Sequence, residues 1–573
     1  MFIVKFRVPV ICAIFAAASS GQVTFDRLLH PGREPQNWLT YSGGYDSHRF
    51  SPLAQLNRSN VKNLQMKWVY HPDYSKMENT PLVVDGIIYA GTAQEVVALD
   101  AVTGRQYWKY ARPFNRSDYM GQHAYEVNKG MAISGDTLFW ATVYDCHLIA
   151  IDTKNGHVLW DVPFADWKLG YQFNVAPLIV KNMVILGQAT NEMGSNCWVA
   201  AYDVKTGKEI WRFYTAPNSG DDPATKTWSG DSWKHGGSPI WNGGSYDPET
   251  NLTFWGTGNP NPGWNGNARA PGDNLYSDSV VALDADTGKL KWYYQFTPGD
   301  EYDWDSTQVP VLADIEWKGK LRKVMLWGNR NGFFYVLDRA TGEYLMGKPF
   351  IKQTWAVGID EEGRPIKAPG FWPKPMGGIA VMPGSQGGTN WYPPSYSPRT
   401  GLFYMSVWDN YKAISNKSDP GPWVQGQLYN GSNWWAGYGQ RAPQSGHGDT
   451  TGRRARAATP TAAARGRALP NYKTEAEGYG AIRAIDPKTG EKKWDFKMVD
   501  NTESGVLSTA GDLVFGGGMD GDFVALDAKT GDLLWSVYLG GANSSGPISY
   551  AVNGKQYIVG TGAGTMYVFA LPD

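Results

Sequence analysis

The chain has 573 residues, of which 42% are hydrophobic and 14% aromatic, with 68 Gly and 35 Pro. That length and turn content suit a large all-β protein, and one closed propeller can absorb it. The net charge of −1 and a pI near 6.7 remove the electrostatic case for nucleic-acid binding.

The N-terminus reads as a targeting segment. Lys5 and Arg7 precede an apolar run from Val8 to Ala18, closed by the small residues Ser19, Ser20 and Gly21. The run is too short to span a bilayer, so residues 1–21 are expected to be a cleaved secretory signal. A retained anchor is the alternative. No other stretch could span a membrane, so a soluble, exported mature chain from residue 22 to 573 is expected.

Internal repeats come next. Asp-x-x-(Thr/Asn)-Gly-x-x-x-Trp occurs at 100–108, 152–160, 203–211, 284–292, 486–494 and 527–535. The copy starting at Asp338 ends in Met346. Degenerate copies begin at Asp247 and Ser397. The first copies are spaced at roughly one four-stranded blade. Each predicts a strand such as Val96-Val97-Ala98-Leu99, a tight turn whose glycine supplies positive φ, and a second strand whose tryptophan docks between blades. With one imperfect copy assigned to an insertion, the count is an eight-bladed β-propeller, a closed arrangement that protects sheet edges.

Cys146 and Cys197 each stand six residues before a repeat aspartate, on consecutive blades. Buried thiols are the preferred reading and a disulfide the alternative. No Cys-x-x-Cys-His occurs, so no covalently attached c-type haem is encoded.

The chemistry concentrates in Gly256-Thr257-Gly258-Asn259-Pro260, in 271–279, and in Asp300-Glu301-Tyr302-Asp303-Trp304-Asp305. An amide oxygen and clustered carboxylates are the hard ligands of a calcium-like ion. Asp303 and Asp305 are i and i+2, and on an extended segment both carboxylates point to one face. Residues 446–467, with Arg453-Arg454-Ala455-Arg456, are low-complexity and basic. They predict a disordered surface insertion; docking of an acidic electron acceptor is the alternative.

Several motifs together resemble the pyrroloquinoline quinone (PQQ)-dependent alcohol dehydrogenases. These are Asn37-Trp38-Leu39-Thr40-Tyr41-Ser42-Gly43-Gly44-Tyr45-Asp46 with Arg49-Phe50-Ser51-Pro52-Leu53, and Trp228-x-Gly230-Asp231-x-Trp233-Lys234-x-Gly236-Gly237. Gly256-Thr257-Gly258-Asn259-Pro260 and Asn329-Arg330-Asn331-Gly332-Phe333-Phe334-Tyr335-Val336-Leu337-Asp338 complete the set. The resemblance implies an eight-bladed propeller with the quinone and a metal ion near its axis. It implies metal ligands Glu192, Asn259 and Asp303, with Asp303 also the base. It makes Arg330 the cation at the reacting quinone carbonyl and Trp241 the indole on which the cofactor stacks. Glu78, Lys129, Asn174, Thr190, Asn191, Asn390 and Trp391 fall at other cofactor positions. Asp305 resembles the added ligand of lanthanide-using members, which favours a lanthanide over calcium.

The departures cluster around the quinone. The family's adjacent cysteine pair falls at His123-Ala124. Its usual arginine is Lys129, which loses bidentate recognition, and its usual threonine is Asn174. Thr190-Asn191 replaces Gly-Ala, and Glu503 stands for a tryptophan. The expected activity is a periplasmic dehydrogenase converting a primary alcohol to an aldehyde. Its electrons would pass to a soluble cytochrome c, and a homodimer is compatible with it. The alternatives are a non-catalytic propeller scaffold and a quinoprotein acting on a sugar or polyol.

Overall fold

The computed structural model describes residues 23–74, 76–114, 126–189, 192–431 and 478–573. The leader at 1–21, His123-Ala124, Thr190, Asn191 and the 446–467 insertion lie outside the described residues.

The core is eight antiparallel four-stranded sheets, the eight blades that the repeats predict. In chain order, blades 1 to 7 occupy residues 82–111, 132–163, 178–214, 245–295, 311–349, 395–497 and 507–538. Blade 8 joins both ends of the chain. Ile548–Val552, Lys555–Gly562 and Thr565–Ala570 take Gln65–Tyr70 as their outer strand. Blade 7 also accepts the short strand Phe50–Ser51, parallel to Leu507–Thr509. First strands touch between blades 2 and 3, 4 and 5, 5 and 6, and 6 and 7, as strands near a common axis do.

The repeat has a physical explanation on each of its residues. In the turn at Asp100, the carboxylate Oδ1 accepts from the backbone N–H groups of Val102 and Thr103 and from the Thr103 hydroxyl. The glycine serves two purposes. Gly156 has φ +75°, and a Cβ there would lie 2.6 Å from the indole of Trp108 on the preceding blade. The tryptophan thus lies on the next blade's glycine, and Trp108 Nε1 donates to Thr153 O at 2.8 Å. The same docking joins Trp160 to Gly207, Trp211 to Gly288, Trp292 to Gly342 and Trp494 to Gly531. Trp68, on the clasping strand, covers Gly104 and closes the ring. Trp108→Ala is expected to destabilise the protein by about 3–5 kcal/mol, the usual cost of truncating a large buried aromatic, read from denaturant midpoints.

Two repeat assignments change. The turns at Asp247 and Ser397 join the first and second strands of blades 4 and 6, not the third and fourth. They mark no extra blade or insertion. The Asp338 turn is genuine, and Met346 and Lys348 cover Gly490 where a tryptophan would. Seven outer turns plus the clasped blade therefore make the eight.

Cys146 and Cys197 are buried thiols with no disulfide between them. Among the described residues, no helix is long and apolar enough to cross a membrane.

Candidate active site

Loops entering the first strands gather at one end of the ring. Glu78, Lys129, Asn174, Trp241, the pair Asn390-Trp391, and Glu503 each stand just ahead of the first strand of blades 1, 2, 3, 4, 6 and 7. The loops are tied together. Thr80 N donates to Lys129 O at 3.0 Å and Lys129 N to Asn174 O at 2.8 Å. Across the ring, Asn242 Nδ2 donates to Trp391 O at 3.1 Å.

Lys129 is the centre of one side. Its ammonium donates to Glu78 Oε2 at 2.8 Å and lies 3.2 Å from the ring centre of Trp391, on the opposite blade. Burial lowers its pKa, and Glu78 partly restores it. Asn174 Oδ1 and both side-chain polar atoms of Asn79 are buried without a hydrogen-bond partner. Orphaned buried amide atoms call for a ligand or water. With the Lys129 and Arg330 cations and the indoles of Trp241 and Trp391, they fit a flat, carboxylate-bearing, carbonyl-rich group.

Glu503 belongs to this cluster and is 6% exposed. Burial, then Glu78, pushes its carboxyl up to about 8 from 4.5, against the opposing pull of Lys129 and Lys76. Its folded value lies above its unfolded one. Its stabilising contribution is therefore full below the unfolded value and disappears as pH rises to about 8. Glu503→Gln is expected to flatten that part of the stability curve and to exceed the wild type most at alkaline pH. Denaturant midpoints across the range check this, and parallel curves for the two proteins would contradict it.

The carboxylate side is built by blades 4 and 5. Asn259 follows the strand Leu252–Gly256, and Asp303 and Asp305 lie on the connection to Val311–Trp317. Arg330 sits in the turn between Lys320–Gly328 and Phe333–Asp338. Its Nη1 donates to Asp305 Oδ2 at 2.6 Å, its Nη2 to Asp303 Oδ2 at 3.2 Å, and its Nε to Ser385 O at 2.6 Å. Asp305 also accepts from Asn259 N at 2.6 Å and from Trp241 Nε1 at 3.2 Å. The approach is close enough that a Cβ on Gly258 would meet Asp305 Oδ1 at 2.3 Å.

The extended geometry expected for Asp303 and Asp305 is not found. Asp303 has φ +63°, a left-handed conformation that a non-glycine residue holds only when its surroundings impose it. Here the surroundings are Asp300, whose carboxylate accepts from Tyr302 N and Trp304 N, the connection at 350–394 between blades 5 and 6, and the segment that follows the second strand of blade 6. The connection ties down Glu301 through Lys374 and Trp304 through Gly384 O, and Lys417, beyond the second strand of blade 6, adds a bond to Glu301 Oε1. Both aspartates nonetheless reach one guanidinium. Burial raises the Asp303 carboxyl well above the usual range; Arg330 opposes the rise, and Asp305, Asp300 and Glu192 add to it. Its side chain stays 16% exposed.

Glu192 is held by its backbone, its carbonyl accepting from Tyr429 N at 2.7 Å. Among the described residues, no three His, Cys, Asp or Glu side chains converge tightly enough to hold an ion alone. The oxygen-rich set of Glu192, Asn259, Asp303 and Asp305 fits a hard cation by donor chemistry. Such an ion would compete with Arg330 for the aspartate oxygens. Asp278 and Asp300, which belong to the carboxylate-bearing segments singled out in the sequence, are both fully buried.

The axial loops of this propeller thus combine indoles, cations and clustered carboxylates. The sequence matches the glucose/ethanol/alcohol dehydrogenase β-propeller domain over residues 38–348 and 361–558. It is 36% identical to a quinohemoprotein alcohol dehydrogenase of Comamonas testosteroni over 97% of this chain and 77% of that protein. It is 35% identical to a quinoprotein alcohol dehydrogenase of Pseudomonas putida over 95% and 89% of the two chains. Among solved structures, a europium-containing methanol dehydrogenase superposes with TM-score 0.79 at 30% identity, covering 95% of this chain and all of that one. The chain belongs to the PQQ-dependent alcohol dehydrogenase family and is an oxidoreductase.

Proposed function

We propose that the protein is a periplasmic dehydrogenase that oxidises a primary alcohol to an aldehyde and passes the electrons to a soluble cytochrome c. The observation that carries this reading is Arg330 bridging Asp303 and Asp305 beside Trp241. When bound, PQQ would supply the hydride acceptor, and a cation held by these carboxylates would supply Lewis-acid polarisation. Asp303 takes the hydroxyl proton, as a carboxylate placed at the reacting end can. Arg330 holds that carboxylate in place and brings positive charge to the reacting end.

Trp241 offers its indole face to the cofactor. Lys129 and the amides of Asn174 and Asn390 fit its carboxylates and carbonyls, with Glu78 and Trp391 fixing Lys129. Thr190 and Asn191 keep the cofactor role implied by the resemblance. Glu192, Asn259, Asp303 and Asp305 would hold the ion, and the added charge of Asp305 favours a lanthanide over calcium. Residues 1–21 direct export, with 22–573 as the mature propeller chain.

The experiment is a product balance on the quinone-loaded protein with ethanol, and separately with glucose, using cytochrome c as acceptor. One aldehyde per electron pair from ethanol supports the reading. Turnover of glucose alone would replace it with the sugar-oxidising alternative.

A further inference from the structure

The axis of the ring is filled by chain. Residues 38–49 cross it, bonded to the first strands of six blades. Trp38 exchanges two backbone hydrogen bonds with Val83 of blade 1, each 2.9 Å long. The N–H groups of Tyr246, Leu312, Tyr396 and Ser508, on blades 4, 5, 6 and 7, donate to the carbonyls of Tyr45, Asp46, His48 and Arg49. On blade 3, Ile179 O accepts from the Tyr45 hydroxyl at 2.5 Å. A propeller leaves a channel at its centre, and here this segment occupies it.

Tyr41 is the residue of the segment that reaches the cofactor loops. It is buried and packs with Ala176 and Val309. A Cβ on Gly130 would lie 3.3 Å from Tyr41 Cδ2 and 3.0 Å from Ala176 Cβ, so the chain there has no room to move inward. On the other edge of the ring, a Cβ on Gly243 would lie 3.4 Å from Tyr41 Cδ1. Gly130 follows Lys129 directly, Ala176 stands two residues after Asn174, and Gly243 two after Trp241. One ring thus stands between the loops of blades 2, 3 and 4, at the base of the residue each offers to the cofactor. The loop of Glu78 joins them through Thr80 N, which donates to Lys129 O. Arg49, fully buried, fixes the ring from behind. Its Nη1 donates to Tyr41 O and its Nη2 to Pro547 O, both at 2.7 Å, and its guanidinium lies 5.7 Å from the centre of the Tyr41 ring.

We propose that Tyr41 is a positioning residue for the cofactor: from the axis, its ring sets the separation of the loops that carry Lys129, Asn174 and Trp241. The inference rests on the cofactor reading of those three residues. A smaller side chain leaves a void into which its neighbours relax in part, and the neighbours here are the loops themselves. A site no longer held in its bound shape binds more weakly, because ordering it consumes part of the interaction. The contacts are made by the ring and not by the hydroxyl, so phenylalanine should serve as well.

The test is equilibrium dialysis of PQQ against the purified chain, with lanthanum present throughout and bound quinone read by absorbance. Wild type, Tyr41→Leu, Tyr41→Phe and Tyr45→Leu are compared. Tyr45 belongs to the same segment, but its ring packs on Phe25 and Tyr246 and its hydroxyl bonds a first strand, away from the three loops. The proposal expects the quinone dissociation constant to rise about tenfold or more in Tyr41→Leu and to stay within about twofold of wild type in the other two. Wild-type affinity in Tyr41→Leu overturns it. So does an equal loss in Tyr45→Leu, which would mean general loosening of the axial segment. A Tyr41→Leu chain that fails to fold while Tyr45→Leu folds makes the ring a folding element and also overturns it. Should neither leucine variant fold, Tyr41→Met, which refills most of the volume, is compared with wild type by the same constant. A wild type that binds no quinone overturns the cofactor reading itself, a result distinct from unchanged affinity in the variants.

Discussion

Replacing Asp303 with Asn is expected to lower the turnover of alcohol by about three orders of magnitude, within the range that removal of a general base produces. The substitution is close to isosteric, and Asn tolerates the left-handed backbone at φ +63° better than most residues. Its side-chain oxygen can still accept from Arg330 Nη2, and Asp305 keeps its own contact with Nη1. The groups fitted to the cofactor's far side, Lys129 and Trp391, belong to blades 2 and 6 and are untouched. The loss should therefore appear in kcat, with quinone occupancy retained when read by absorbance. Retained turnover at full occupancy would remove Asp303 from the role of base.

Removal of Arg330 has the second large effect, and it acts on folding as well as on chemistry. Arg330→Ala leaves Asp303 and Asp305 close together in a buried site without their shared cation. Like charges so placed repel, and losing one partner of a buried ion pair typically costs about 3–5 kcal/mol. On the proposed mechanism the reaction also loses a donor to developing charge, worth roughly a hundredfold to a thousandfold in rate. A multivalent cation should restore part of the lost stability, because it can replace the guanidinium between the two carboxylates. It should not restore the rate. Denaturant midpoints with and without metal, beside kcat, separate these effects. Arg330→Lys is expected to fall between, since an ammonium cannot hold both carboxylates in the guanidinium's fork. A stable Arg330→Ala protein indifferent to metal would contradict the arrangement described.

The repeat was legible because its information is local. Asp, Thr, Gly and Trp each meet partners fixed by one turn and by the next blade, so six copies sufficed to predict the propeller. The clasp was not legible, because Trp68 docks on Gly104 from a strand that lacks the repeat and completes a sheet begun near the other end of the chain. The turns at Asp247 and Ser397 were recognisable as turns, but which pair of strands they join depends on blade order.

In the site, motif resemblance located Asn259, Asp303 and Arg330, whereas their relation is a matter of three dimensions. An extended segment at Asp303 was the simplest local expectation. The tertiary ties of Asp300, Glu301 and Trp304 override it. Glu503 was the hardest to read. A charged residue in sequence normally means a solvated face, and only burial shows that this one carries an unusual electrostatic burden.

The most direct test of the account is dye-linked oxidation of ethanol by the purified mature chain. PQQ would be supplied with calcium, with lanthanum, or with no metal, and each metal would also be supplied without PQQ. The account predicts turnover only when quinone and a multivalent cation are both present, with lanthanum the better of the two ions. Equal turnover without quinone, or none in a chain shown to hold both quinone and metal, would contradict it.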